Sequence, residues 1–436
     1  MNSIKLLQFW LFLLLMGMPL IGNAQQSKNK EIYKEGEEYF QAEDYKEAVY
    51  YFLQLEQKGN INANIKYKIG VCYLNTPGEE AKAIAYFEEA SKQISLKYKT
   101  NSIEEKKAPL HVLFYLGNAY RVNNQLSKAL DAYDRFVNHP GYEGNYNLSI
   151  VSTEIKACER AKIIQDSPVE VKWTNLGIPV NSPSSETHPV ISGDETVLVY
   201  LTNLKFYNAV YFTRKSGNTW LPPENINPQI LSDGEFYPTA LSYDGKDLYL
   251  IKKSPKNSDI YLSHYVNNQW TTAKPLNKNI NSSSDENSCT ITKDGTTMYF
   301  TSNRSGSRGF DIYKSVKDDK GEWGKAENLG KTINTKDDEA TPSISPDGKT
   351  LYFSSEGHYN MGGFDIFYST LEKDGKWSVP ANIGYPINTT NDNIGFQSIG
   401  EGNVGYISRI APEGFGKEDI YKVEIRGKFI QKDSAE

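Results

Sequence analysis

Apolar positions follow two different periods along this chain, and the change comes near Pro168. From residue 30 to residue 165 they recur every three to four positions, which is typical of amphipathic helices. Past Pro168, short runs rich in Tyr, Phe, Ile and Val alternate with polar residues and Asp-Gly turns, which indicates β-strands. We therefore predict a helical domain over 28–166, an all-β domain over 169–425 and a tail over 426–436.

Three helical segments share one arrangement of small and aromatic residues. They begin at Tyr33 ("YKEGEEYF"), Tyr67 ("YKIGVCYL") and Phe114 ("FYLGNAYR"), and the first two glycines, Gly36 and Gly70, are 34 residues apart. Small residues are needed where two antiparallel helices cross closely, and aromatic residues fill the space between helix pairs. The pattern resembles the tetratricopeptide repeat family, which implies three stacked helix pairs.

The third repeat comes late in the chain. From Gly70 to Gly117 there are 47 residues instead of 34, so 13 are inserted, and the polar segment 96–108 is the obvious excess. This insertion either lengthens a helix or forms a loop. We expect a last helix, over about 148–164, to cap the apolar end of the stack.

The first helix of each pair should face the concave groove of the stack. A mixture of aromatic, aliphatic and polar residues on that surface suits a peptide or a partner helix. The alternative is a groove buried by the capping helix. The candidate binding residues are Tyr33, Glu37 and Phe40 in the first repeat, Tyr67 in the second, and Phe114, Asn118 and Arg121 in the third.

Five segments repeat in the β region, and four short strands with their turns need about 50 residues. Each segment has a tight turn, a strand and a triplet similar to Asp-Ile-Tyr, although the first has Ala209 in place of Asp. The segments start at Ser185, Gly234, Asp285, Asp338 and Asp392, in steps of 49 to 54 residues. Each segment therefore predicts one blade of a β-propeller.

The tryptophans indicate how the ring closes. Trp220, Trp270, Trp323 and Trp377 follow the first four triplets, none follows the fifth, and Trp173 precedes the first. The fourth strand of the last blade thus lies at the start of the domain. We predict a five-bladed propeller closed by strand 170–176, which removes two open sheet edges. An open or six-bladed array is the alternative, and the five tryptophans argue against it.

The paired segments "SPDGKTLYF" and "GFDIFYS" resemble the WD40-like repeat of TolB-type propellers over residues 170–425. The order of the two domains is similar to the front half of PorE-like proteins of the type IX secretion and gliding apparatus. Those proteins continue into an OmpA-like peptidoglycan-binding domain. Because this chain stops at Glu436, we expect no peptidoglycan anchoring by that route.

Residues 1–24 are typical of a secretory signal peptide, with Lys5, an apolar run over 6–21 and small residues before a cleavage point after Ala24. An uncleaved anchor is the alternative. We expect an exported chain, in the periplasm or at the periplasmic face of the outer membrane, with no transmembrane segment after cleavage. The net charge of −6, without a basic stripe, argues against a nucleic-acid partner.

Candidate chemistry is sparse. The five histidines share no metal-ligand spacing, and no nucleophile elbow, P-loop or H-E-x-x-H motif is present. We expect no enzyme activity, cofactor or metal. Asp347 in "SPDGKT" is similar to the Asp-box of sialidases, but such residues repeat in most blades and are better explained as turn residues.

Two surfaces of the propeller are candidates for binding. The acidic residues that open the blades would form a ring at one mouth, where they would bind a cation or a basic loop, or else cap their own turns; they are Glu186, Glu235, Glu286 and Glu339. Glycine-rich loops supply a second surface, with Arg304, Arg308, Tyr359, Met361 and Phe415.

Export, two binding architectures and missing catalytic motifs predict a non-enzymatic scaffold or adaptor for envelope proteins. The resemblance places it beside type IX secretion or gliding machinery. Two alternatives stay open. One is a propeller that binds or hydrolyses glycans or peptidoglycan, as sialidases hydrolyse sialosides, and the other is a TolB-like periplasmic translocation partner.

Overall fold

A computed structural model describes residues 27–142, 147–400 and 402–426. The chain divides into two compact units, Met1–Cys158 and Glu159–Glu436, so the boundary lies within the last helix of the helical region. The predicted signal peptide, 1–24, and the tail beyond residue 426 lie outside the described residues. None of the helices that the structure describes is long and apolar enough to cross a membrane.

The helical unit consists of helix pairs followed by one longer helix. The pairs are α1 (27–41) with α2 (Tyr45–Gln57), α3 (Ala63–Leu74) with α4 (Glu80–Ala90), and α5 (Val112–Val122) with α6 (Leu126–Val137); α7 (Leu148–Gln165) follows them. This is the predicted order of three repeats and a capping helix.

The repeated glycines let the two helices of a pair cross closely. A Cβ atom on Gly70 would lie 2.7 Å from the ring of Phe87, and one on Gly117 would lie 2.3 Å from the ring of Tyr133. Both rings are fully buried. Any larger side chain at these positions would push the helices apart, which explains the small residue in each repeat.

The insertion between α4 and α5 is a loop. Its ends are joined by a parallel pair of two-residue strands, β1 (Ile94–Ser95) and β2 (Ala108–Pro109). The choice between a longer helix and a loop, which the sequence left open, is therefore settled in favour of the loop.

The second unit is a β-propeller whose described residues form five blades. Blade 1 contains β4 (Ser185–Ile191), β5 (Val197–Asn203), β6 (Asn208–Ser216), β7 (Thr219–Trp220) and β8 (Glu224–Asn225), and the short helix α8 (Asn227–Ile230) follows it. Blade 2 contains β9 (Phe236–Leu241), β10 (Asp247–Lys253), β11 (Ser258–Val266), β12 (Gln269–Trp270) and β13 (Lys274–Pro275).

The other three blades each have four strands. Blade 3 contains β14 (Glu286–Ile291), β15 (Thr297–Ser302), β16 (Asp311–Val316) and β17 (Glu327–Asn328). Blade 4 contains β18 (Glu339–Ile344), β19 (Thr350–Ser355), β20 (Asp365–Thr370) and β21 (Ala381–Asn382). Blade 5 contains β22 (Gln397–Ile399), β23 (Val404–Arg409), β24 (Asp419–Arg426) and β3 (Glu170–Asn175).

Blade 5 closes the ring with strands from both ends of the domain. β3 pairs antiparallel with β24 over six residue pairs, from Asn175 opposite Tyr421 to Glu170 opposite Arg426. The predicted five-bladed propeller and its closing strand are confirmed.

Apolar cores lie between neighbouring blades, and the repeated tryptophans belong to them. Trp270 of blade 2 packs with Phe212 of blade 1, and Trp323 of blade 3 packs with Ile260 of blade 2. Trp173, on the closing strand, packs against the core between blades 4 and 5. Each tryptophan thus packs towards the preceding blade, which explains why one is needed for every blade.

Candidate functional site

The acidic residues that open the blades accept hydrogen bonds from their own loops. Glu339 accepts from the backbone N–H of Thr335 at 3.0 Å, from the Thr335 hydroxyl at 2.8 Å and from the Ser355 hydroxyl at 2.9 Å. Glu186 and Glu286 accept in the same way from the residue four positions earlier, Ser182 and Ser282. These bonds fix the chain where it enters each inner strand.

Burial separates these carboxylates from the propeller mouth. Glu186, Glu286 and Glu339 are buried, and Glu235 is partly exposed and lies 3.5 Å from the Lys252 ammonium group. Burial raises the pKa of Glu339 to about 7, although hydrogen bonds from Thr335 and Ser355 oppose the shift. The geometry is that of loop caps, and binding of a cation or basic partner by this ring stays a prediction.

A repeated asparagine just before each cap was not predicted as a structural residue. The Asn334 side chain accepts from the backbone N–H of Ile312 at 2.7 Å and donates to the carbonyl oxygen of the same residue at 3.0 Å. Equivalent side chains hold the third strand of every described blade: Asn181, Asn227, Asn281 and Asn388. The repeated Ile-Asn pairs in the sequence, such as 333–334 and 387–388, were the available signal.

The Asp-Gly turns are also structural. The Ser345 hydroxyl donates to Asp347 at 2.6 Å, and the backbone N–H of Lys349 donates to the same oxygen at 3.0 Å. The hydrogen bond from Ser345 lowers the pKa of Asp347. This geometry agrees with a turn residue ahead of Gly348, which has a φ of 71°.

The residues of the second predicted surface differ in accessibility. Arg304 turns inward: its guanidinium donates to Glu286 at 3.0 Å and to the Asn279 carbonyl at 3.3 Å. Arg308, Tyr359 and Phe415 are exposed. Met361 is fully buried, so its expected place on this surface is wrong. A binding role for Arg304, Arg308 and Tyr359 stays a prediction.

The predicted groove residues of the first repeat surround a buried ion pair. The Lys68 ammonium lies 2.8 Å from the Glu37 carboxylate, and both side chains are almost completely buried. The same ammonium lies 4.4 Å from the centre of the half-buried Phe40 ring. Burial lowers the pKa of Lys68, and the charge of Glu37 opposes this.

The insertion covers this part of the groove. The Tyr98 hydroxyl donates to the Asn64 side chain at 2.6 Å, and that side chain donates to the carbonyl oxygen of Glu105 at 3.3 Å. The Tyr33 hydroxyl donates to the carbonyl oxygen of Ser102 at 3.3 Å. Polar groups that a peptide would meet in an open groove are therefore occupied by the chain's own loop.

In the second and third repeats the candidate residues are likewise engaged. The Tyr67 hydroxyl lies 2.9 Å from Nε2 of His111, and burial lowers the pKa of His111 to about 4. Asn118 accepts from the Tyr133 hydroxyl at 2.7 Å. Arg121 is buried, and its guanidinium lies 2.7 Å from the carboxylate of Glu154 on α7, so the capping helix covers this end of the groove. Phe114 is half-buried. Ligand binding by these residues stays a prediction.

Large exposed apolar residues collect at one end of the propeller. Loops between the second and third strands of a blade, and loops between blades, lie at the same end because strand direction alternates. Phe206 is 86% exposed and Ile178 is 76% exposed. The other large apolar residues exposed in these loops are Tyr207, Leu231, Tyr359, Ile394, Ile410 and Phe415. We call this surface the loop end.

The remaining exposed large apolar residues of the described propeller lie in or beside the third and fourth strands. All of them are aliphatic: Leu221, Val266, Val316, Leu371 and Val379. Within residues 27–142, 147–400 and 402–426, no group of His, Cys, Asp or Glu side chains is placed to hold a metal ion. The loop end is thus distinguished by its exposed aromatic residues.

Comparison with known proteins identifies the helical architecture. A family model for the tetratricopeptide repeat matches residues 111–141, which include α5 and α6. The chain carries a tetratricopeptide repeat. No curated protein matches the chain. The resemblance to PorE-like proteins, which no comparison tests, stays a prediction.

Solved structures with propeller-like similarity come from several kinds of protein. TolB from Acinetobacter baumannii is 16% identical, over 65% of this chain and 72% of that one, with a TM-score of 0.37. A protein described as TolB from Agrobacterium tumefaciens is 18% identical, over 55% and 73%, with a TM-score of 0.34. An α-L-arabinofuranosidase from Podospora anserina is 12% identical, over 60% and 99%, with a TM-score of 0.38. At these identities and scores, the likenesses assign no function.

Proposed function

We propose that this chain is an exported, non-enzymatic scaffold that binds cell-envelope proteins through its propeller and its helical repeats. The observation that carries the proposal is the group of exposed aromatic and aliphatic residues at the loop end. Large apolar side chains left exposed at one end of a fold are candidates for contact with a partner protein. Aromatic residues such as Phe206 and Phe415 are the kind that contribute most to binding when a partner buries them.

The repeated polar residues support a scaffold more than an enzyme. A hydrolase that uses two carboxylates needs them directed at a shared cleft, one protonated and one ionised. In the described blades, Glu186, Glu286 and Glu339 instead accept hydrogen bonds from the loops that precede them. No observation on the described residues favours the glycan-hydrolysing alternative.

The cellular setting follows from the sequence. The predicted signal peptide indicates export to the periplasm or to the periplasmic face of the outer membrane. The order of repeats and propeller, similar to PorE-like proteins, favours partners in type IX secretion or gliding machinery. A TolB-like role in translocation is the alternative, and the N-terminal helical repeats fit it less well.

Chemical crosslinking in a membrane and periplasm extract, followed by mass spectrometry, tests this function. Phe206→Ser combined with Phe415→Ser removes two aromatic side chains of the loop end. Val379→Ser is the matched control, since Val379 is 71% exposed and lies away from that end. We expect the unmodified chain and the control to enrich the same envelope proteins, and the double variant to lose at least one of them.

Two results would contradict the scaffold. One is that the chain enriches no envelope protein beyond those captured by an unrelated propeller. The other is turnover of sialosides or peptidoglycan fragments by the purified chain, which would establish the hydrolytic alternative.

A further inference from the structure

A cavity of about 420 Å³ opens between blades 1 and 2, at the end of the propeller opposite the loop end. Its walls come from the turns between the first two strands of both blades, from the third strands β6 and β11, and from the turn between β11 and β12. Among the residues lining it are Arg214, Lys215, Lys246, Tyr265, Asn267 and Asn268. Its volume lies in the ordinary range of ligand sites, about 300–1,000 Å³.

The guanidinium of Arg214 stacks on aromatic rings of blades 1 and 2, and its Nε atom finds no hydrogen-bond partner among the described residues. Its central carbon lies 4.1 Å from the centre of the Tyr265 ring and 5.1 Å from that of Phe212. Its Nε atom is buried and has no hydrogen-bond partner in the described chain. Arg214 as a whole is partly exposed and lines the cavity, so an acceptor bound there can reach the terminal nitrogen atoms of its guanidinium.

The repeat architecture does not require an arginine here. The residues at the same position of the third strand in the other blades are His264, Val316, Thr370 and Glu424. Asparagine, glutamate and tryptophan recur where the fold needs them, whereas Arg214 occurs in one blade. An arginine that occurs in one blade and lines a cavity is a candidate for ligand binding.

The charges around the cavity favour an anion. Lys246 is paired with Asp244 at 3.4 Å. Lys215 stacks 4.7 Å from the Trp220 ring, and the nearby Glu195 is already paired with Lys422 at 2.6 Å. Arg214 and Lys215 therefore leave an excess of positive charge, which suits a single carboxylate.

We infer that this cavity binds the carboxylate of an acidic segment in a partner protein, an inference that rests on the proposed scaffold function. The planar guanidinium of Arg214, stacked on Tyr265, offers its two terminal nitrogen atoms, whose spacing matches the two oxygens of a carboxylate. Asn267 and Asn268 are exposed, line the cavity and lie at a turn tip with φ values of 51° and 63°; a side-chain amide has both the donor and the acceptor that a peptide backbone requires.

Calorimetric titration of the purified full chain with an N-acetylated, C-amidated tetraglutamate peptide tests the inference. We expect tetraglutamate to bind, the matching tetraglutamine peptide not to bind, and added salt to weaken the binding. Arg214→Gln should weaken it by about tenfold or more, as expected for the loss of a charge-assisted hydrogen bond. Nε–H signals of ¹⁵N-labelled arginine should show a shift that Arg214→Gln abolishes.

Controls separate a folding defect and a plain charge effect from loss of the site. Arg135→Gln makes the same change at an exposed position on α6 and should leave binding unchanged. If Arg214→Gln melts early, the double variant Lys215→Gln, Lys246→Gln tests the rim charges without altering the Arg214 stack. It should weaken binding by several fold.

Three results would overturn the inference: no binding at millimolar tetraglutamate, equal affinity for tetraglutamine, or unchanged affinity in folded Arg214→Gln. Tighter binding of a glucuronate-containing disaccharide would overturn the assignment to a peptide. If tetraglutamate fails to bind while envelope proteins are still captured, only this inference fails. If the chain captures no envelope proteins, the proposed scaffold function is refuted.

Discussion

Detaching the closing strand should remove most of the stability of the propeller. The Leu176 N–H donates to the Ile420 carbonyl oxygen at 3.1 Å, and bonded pairs alternate along an antiparallel ladder. From the register of β3 and β24, the N–H groups of Lys172 and Thr174 therefore face β24, and that of Val171 faces away. The perturbation is Lys172→Pro combined with Thr174→Pro, which removes two ladder donors and places proline rings against β24.

The magnitude follows from what β3 contributes. Its pairing with β24 supplies roughly six backbone hydrogen bonds, worth about 1 kcal/mol each. Val171 and the half-buried Trp173 pack against the core between blades 4 and 5, and their burial adds about 2–3 kcal/mol. A loss of about 8 kcal/mol is a large part of the free energy of unfolding of a typical folded domain, which is about 5–15 kcal/mol.

Differential scanning calorimetry of the full chain measures this loss. For a domain of this size, 1 kcal/mol corresponds to about 2–4 °C, so the propeller transition should fall by about 20 °C or disappear. The helical unit has its own core, and its transition should be retained. Cooperative loss of all five blades is expected because each interblade core borders on the next.

Two controls isolate the backbone effect. Lys172→Ala combined with Thr174→Ala changes the same exposed side chains and keeps both N–H groups, so it should melt within a few degrees of the unmodified chain. Val171→Pro places a proline where the N–H faces away from β24, and it should cost much less than the double proline variant. A propeller transition left in place by the double proline variant would refute the view that β3 holds the ring closed.

Two buried groups and the predicted signal peptide can be tested as well. Lys68→Met leaves the Glu37 carboxylate without its ion-pair partner and should destabilise the helical unit by about 3–5 kcal/mol, as measured by urea unfolding. Adding Glu37→Gln to this variant should restore most of the lost stability. The pKa of Glu339 is raised from 4.5 to about 7 in the folded chain, so between these pH values the folded state holds a proton that the unfolded state has released. The contribution of this group to the free energy of unfolding is therefore fully present below pH 4.5 and is lost as pH rises through 7. Glu339→Gln should flatten that part of the stability profile, and an unchanged profile would contradict the assignment. N-terminal sequencing of the secreted chain should begin at Gln25, and a retained Met1 would indicate an uncleaved anchor.

Repeats made most of the fold predictable. Gly36, Gly70 and Gly117 marked the helix pairs, and Trp173 marked the closing strand 250 residues before its partner. Such positions are readable because each one performs the same packing task in every copy. The insertion, 96–108, occurs once, and its position over Tyr33 and Asn64 could not be read from a periodic pattern.

The candidate sites were less predictable for the same reason. Repetition suggested that Glu186, Glu286 and Glu339 form a ring with a shared role, and they do share one, as caps of their loops. The sequence did not indicate a role for Arg214, because a single basic residue in one strand belongs to no repeated pattern. Only the packing of blade 1 against blade 2 brings it over Tyr265 and beside a cavity.

The sequence by itself determined the architecture: helical repeats, then five blades closed by the strand at Trp173. Local periodicity and repeated packing residues specify such elements without knowledge of distant contacts. The tertiary structure alone decided which polar groups are hydrogen-bonded or ion-paired within the fold and which can still contact a partner. That outcome depends on burial and on partners far apart in the chain, such as Lys68 with Glu37 and Arg214 with Tyr265.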